Sequence, residues 1–142
     1  MRSTVLVDTG FLVALFDRTD RQHESAKQML AALVRDRHLA LVSVWPTVVE
    51  TCFFLDPPGK RALLMWIERG ALRLRPIEIS DLTAISDVIA RFAEHNIDLA
   101  DATLVWLAEA EDTRQVLTTD RRDFDMLRTA RGQSFERLWV RP

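Results

Sequence analysis

The sequence predicts an α/β fold of three layers, α/β/α, with a mostly parallel central sheet flanked by helices. Three observations carry that expectation. Short apolar runs at Val5-Leu6-Val7 (rich in β-branched residues), Leu39–Ser43 and Val116–Thr119 alternate with longer stretches of helical apolar spacing. The run at Val5–Val7 is unbroken and apolar, as a strand covered on both faces is. Two of the three end abruptly at a carboxylate, Asp8 and Asp120, and ligands of open α/β sheets gather at the carboxyl ends of strands. With 142 residues, 48% of them apolar, a single domain over residues 1–142 is expected.

The elements follow in order. Thr4–Val7 reads as the first strand, ended by Asp8, with Gly10 permitting a tight turn before the apolar Phe11–Phe16. Thr19 or Asp20 can cap a helix ending near Arg35 and Asp36, whose apolar positions Ala26, Met29, Leu30, Leu33 and Val34 recur at helical spacing. His23, in its first turn, reads as a surface residue. Leu39–Ser43 is the second strand, and Pro46 opens the next helix, through Leu55. Glu50 is the only charge between His38 and Asp56, and a lone carboxylate in so apolar a stretch is costly to bury unless paired or coordinating. Pro57-Pro58-Gly59 breaks that helix, and Lys60–Arg69 forms another with Leu63, Leu64 and Ile67 inward. Trp66 lies off that stripe, so it is a candidate for an exposed partner contact. Ala71–Ile77 alternates apolar and basic residues, as a strand with one wet face does. Ser80 caps a helix with the stripe Leu82, Ile85, Ile89 and Phe92. Asp98 and Asp101 resemble a capping box with Asp in place of Glu. Phe135–Val140 closes the chain as an edge strand.

Composition narrows the function. No apolar stretch reaches the ~18 residues needed to cross a bilayer, so no membrane partner is expected. Arg2 is followed by no apolar segment with a small-residue cleavage site, and the one cysteine, Cys52, reads as a small core residue. A reduced, cytoplasmic protein is the expectation. The net charge is −2, which lacks the bulk basicity of many nucleic-acid binders. Among 19 basic residues, however, only Lys27 and Lys60 are lysines, and arginine suits bidentate phosphate contacts and stacking on bases.

If the sheet is parallel, Asp8, Glu50, Asp101 and Asp120 can converge at one of its edges. Asp8 alone could equally cap a turn, and Asp98 with Asp101 has a purely structural account as a cap favoured by the helix dipole. Converged carboxylates repel, and a divalent cation relieves the repulsion. An all-oxygen ligand set selects a hard ion, Mg²⁺ or Mn²⁺. Such an ion could orient a water, lower its pKa and neutralise charge on a phosphodiester.

The motifs Val7-Asp8-Thr9-Gly10 with Leu12–Leu15, Val49-Glu50, Leu99–Ala102, and Leu117–Asp120 followed by Asp123-Phe124 occur in this order across nearly the whole chain. In these the chain resembles PIN domains, and particularly the VapC-type toxins of bacterial toxin–antitoxin pairs. The resemblance implies a PIN-like fold and a Mg²⁺-dependent endoribonuclease with an acidic site of Asp8, Glu50, Asp101 and Asp120, all four serving as metal ligands. It implies supporting roles for Thr119 and Asp123, and as partners an RNA substrate, a cognate antitoxin and a second copy in a homodimer. Many similar chains carry Ser or Asn where this one has Gly10, which removes a possible hydrogen bond. Arg18, Arg21, Arg121 and Arg122 lie close in sequence to the strand ends bearing Asp8 and Asp120 and are candidate phosphate contacts, with solvated arginines or salt bridges as the alternative. Two other readings compete. One is a non-catalytic RNA- or protein-binding module of the same fold. The other is phosphotransfer through an aspartyl phosphate, which normally needs a late lysine that this chain lacks after Lys60.

Overall fold

The computed structural model describes residues 3–36, 38–119 and 121–139, with the side chains of 121–123 outside the description. The chain runs β1 (Ser3–Val7), α1 (Thr9–Phe16), α2 (His23–Leu33), β2 (Leu39–Ser43), α3 (Trp45–Cys52) and α4 (Pro57–Glu68). It continues through β3 (Arg73–Leu74), α5 (Leu82–Arg91), α6 (Leu99–Glu111), β4 (Gln115–Leu117), α7 (Arg121–Met126) and β5 (Glu136–Arg137). The strands form one sheet in the order β3-β2-β1-β4-β5, every neighbouring pair parallel.

Period-two alternation along the strands divides the core into two halves. Val5 and Val7 of β1, Leu41 of β2 and Leu117 of β4 face a layer with Phe11, Leu12, Val48 and Leu63 from α1, α3 and α4. Leu6, Val42 and Val116 face the opposite layer, with Val88, Leu104 and Phe124 from α5, α6 and α7. This is the expected α/β/α arrangement. Helix α6 is buried at every residue from Ala100 to Ala108, which explains a sequence apolar nearly all round.

Several local expectations are corrected. Gly10 makes no tight turn; it lies inside α1, which starts at Thr9. Helix α2 starts at His23, and that histidine is half-buried, its Nδ1 lying 2.8 Å from the Ala14 carbonyl. Pro57, Pro58 and Gly59 begin α4, with Asp56 as N-cap accepting from the Gly59 N–H at 2.8 Å, so the prolines occupy positions whose N–H groups no helix needs. Leu63 is buried but Leu64 is exposed. Trp66 is half-buried, edge-on to Phe16 with centroids 5.3 Å apart. Glu78, not Ser80, forms the capping box, with Asp81, before α5. The buried stripe of α5 is Ile85 and Val88, while Leu82 and Ile89 are exposed. The strand expected over 71–77 shrinks to Arg73–Leu74, and its ladder cannot run further toward residue 77 because its partner β2 ends at Ser43. The closing strand reaches only Glu136–Arg137, at the sheet edge as expected; Val140 lies outside the described residues.

Arg73 and Arg75 both donate to the carboxylate of Glu111 at the end of α6, tying edge strand β3 to the central helix. The Arg75 guanidinium also lies 5.8 Å from the Trp106 ring centroid. Partial burial works to raise the Glu111 pKa, but hydrogen bonds and charge from Arg73 and Arg75 outweigh it and hold the carboxyl below its ordinary 4.5. A depressed carboxylate stabilises the fold above its unfolded pKa, and that contribution is lost as pH falls through the folded value. The melting temperature should therefore fall more steeply below pH 4.5 in the wild-type chain than in Glu111→Gln, and the two curves should converge in acid. Thermal melts across that range test this.

Candidate active site

The strand order reverses direction between β1 and β4, since the chain builds outward from β1 on one side and returns to its other side. Such a switch point opens a crevice at the carboxyl ends of the two strands. Asp8 follows β1 there, and its backbone N–H donates to the Leu117 carbonyl at 3.0 Å. The first residues after β4 are Thr118 and Thr119. Behind the crevice, the buried Ser43 hydroxyl donates to the Val7 carbonyl at 2.7 Å and ties the end of β2 to that of β1.

Asp8 stands at the N-cap position of α1, but its side chain makes no capping bond to that helix. Its Oδ2 instead accepts from the Thr118 hydroxyl at 2.7 Å, and the residue is only 5% exposed. Asp101 is 8% exposed in the first turn of α6, where the helix dipole favours an anion. Its N–H donates to Asp98 Oδ1 at 2.9 Å, so Asp98 is the N-cap, as its position suggested. Glu50 is half-buried on α3.

Asp8, Glu50 and Asp101 line one cavity of about 360 Å³, together with Gly10 and Thr119. Six further candidates remain, of which the structure describes the side chains of Arg18 and Arg21. Asp120, and the side chains of Arg121, Arg122 and Asp123, lie outside the described residues. Arg18 and Arg21 are exposed and, among the described residues, pair with no carboxylate. Asp17 spends its Oδ1 on the N–H and hydroxyl of Thr19, at 2.9 and 2.7 Å, which hold its carboxyl below the ordinary range. Arg18 lines a neighbouring groove of about 720 Å³, which shares Phe54 with the acidic cavity.

Sequence reasoning missed some of the lining. Asp20 and Gln22 reach the cavity from the turn before α2, and Phe54 from the turn after α3; only the packing of α1 against α2 and α3 brings them in. Thr118 was passed over for Thr119. The two neighbours on β4's extension face different ways, and the β1–β4 register decides which one meets Asp8.

The donor set suits a hard cation. The lining offers carboxylates and hydroxyls, with no sulfur or imidazole. Among the described residues no three acidic or imidazole groups stand close enough to hold an ion by themselves. That is compatible with Mg²⁺, which usually takes one or two carboxylates and completes its shell with water and substrate phosphate.

Comparison with known proteins agrees with this architecture. The PIN domain family matches residues 5–131. The chain is 27% identical over 136 residues to ribonuclease VapC26 of Mycobacterium tuberculosis, across 92% of this chain and 97% of that protein. Its fold is similar to the crystal structure of VapC20 from the same species, a toxin that cleaves the sarcin–ricin loop, with a TM-score of 0.67 and 20% identity over 84% of this chain and 92% of that one. The carboxylates gathered at the β1–β4 switch point thus sit in a chain that belongs to the PIN domain family.

Proposed function

We propose that this chain is a metal-dependent endoribonuclease and the toxin of a type II toxin–antitoxin pair. The observation that carries the reading is the meeting of Asp8, Glu50 and Asp101 in one cavity at the switch point of a PIN-family sheet. The similarity to ribonuclease VapC26 supports RNA as the substrate class. Asp8 and Asp101 would hold Mg²⁺ or Mn²⁺, with Glu50 and Asp120 completing the acidic set. A bound ion would supply Lewis-acid chemistry, making water more acidic and neutralising charge on the phosphodiester.

The protein's own groups do the remaining work. Thr118 fixes Asp8 in one rotamer, and Asp98 fixes the first turn of α6 beneath Asp101. Glu50, the most accessible of the three carboxylates, would orient the attacking water. Arg18 and Arg21, free of carboxylate partners among the described residues, would contact RNA phosphates flanking the site together with Arg121 and Arg122, and Asp123 would support the acidic set. No helix among the described residues is long and apolar enough to cross a membrane.

An antitoxin and a second copy of the chain are the proposed protein partners. The expected Trp66 contact is replaced by a different surface. Trp45 and Val49 of α3 and its C-cap Phe53 recur four residues apart and are 52%, 54% and 80% exposed. This apolar strip continues into Phe54 at the cavity mouth, so a partner covering it would also restrict RNA entry.

Two outcomes test the site. Purified protein should cut cellular RNA into discrete fragments with Mg²⁺ or Mn²⁺. EDTA should abolish the cutting, and Asp101→Asn should lower it by at least about a hundredfold without unfolding the chain, since the lost charge would weaken the hold on the ion that neutralises the phosphodiester. Cleavage unaffected by EDTA would sink the metal reading. Thr118→Val should cost about 1–3 kcal/mol in urea unfolding, because it removes a buried hydrogen bond to an ionised carboxylate, and should also weaken Mn²⁺ binding measured by calorimetry.

A further inference from the structure

Gly10 and Thr119 are sterically coupled across the mouth of the acidic cavity. A Cβ added at residue 10 would lie 2.0 Å from Thr119 Oγ1 and 3.1 Å from its Cβ. Gly10 has no positive φ that would call for glycine, and it occupies a helix, where glycine is disfavoured against alanine. The close approach of the Thr119 side chain is therefore the physical reason on view for a glycine here. That side chain occupies the notch where residue 10 would otherwise project.

The notch opens on a cavity whose side-chain donors are few, the Gln22 amide and the threonine hydroxyls. Its acidic groups are acceptors when ionised, whereas phosphate oxygens need donors or a cation. Among the hydroxyls of the lining, Thr9 Oγ1 is buried from solvent, while Thr119 is half-buried and, among the described residues, has no hydrogen-bond partner. Resting on the ribonuclease reading, we propose that Thr119 contacts the substrate. Its hydroxyl donates to a non-bridging oxygen of the RNA phosphate, and Gly10 is the positioning residue that leaves it the space.

The test uses an oligoribonucleotide spanning a cut site mapped in cellular RNA, with melting temperature, with and without Mn²⁺, read alongside. Thr119→Val keeps shape and removes the donor. It should lower kcat/KM about ten- to a hundredfold, the range for a hydrogen bond to a charged group, while the melting temperature and its Mn²⁺ shift stay as in the wild type. Thr119→Ser should retain most activity. Gly10→Ala should lower both melting temperature and cleavage in the wild-type background, yet cost little further cleavage once Thr119→Ala has removed the hydroxyl. Wild-type cleavage that Thr119→Val leaves unchanged would overturn this inference and leave the ribonuclease reading intact. Multiplicative losses for Gly10→Ala and Thr119→Ala, or a Gly10→Ala chain that melts higher than wild type, would equally overturn the coupling. A folded wild-type chain that cuts no RNA with either ion would overturn both readings.

Discussion

The parallel pairing of β1 with β4 at their carboxyl ends is the constraint on which the rest of the cavity depends. The register sets Leu6 beside Val116 and Val7 beside Leu117. That fixes Asp8 against Thr118 and lets Thr119 lie over Gly10. A slip of one residue would turn every β4 side chain to the opposite face, moving Val116 and Leu117 into the wrong halves of the core. The hydrophobic division of the core and the geometry of the acidic cavity are thus enforced by the same ladder.

Holding carboxylates in so enclosed a place is costly unless polar groups answer them. The fold answers with neutral donors and dipoles. Asp8 receives a threonine hydroxyl, and Asp101 sits at the positive end of α6, whose first turn is tied to Asp98. Where an acidic side chain serves only the fold, the solution differs: Glu111 is met by two arginines, Arg73 and Arg75.

Much of the architecture was legible because burial writes itself into composition. Strand β2 falls at Leu39–Ser43, as its unbroken apolar run indicated, and Asp98 caps α6 as its spacing with Asp101 suggested. Errors arose where the outcome depended on a neighbour. The alternation over 71–77 is a fair strand pattern, but a strand can pair only as far as its partner extends. Trp66 was off the apolar stripe of its own helix and nevertheless found Phe16 on another. Pro57 and Pro58 read as a break, whereas Asp56 makes them a beginning.

The sequence by itself determined the layers and the carboxylate that ends β1, because these follow from residue type and period along one chain. Only the tertiary structure decided which threonine meets Asp8, why residue 10 carries no side chain, and which apolar groups remain exposed. Each of those is a contact between segments far apart in sequence, Thr118 with Asp8 and Thr119 with Gly10 above all. Such distances are set by sheet order and register, which no local pattern encodes.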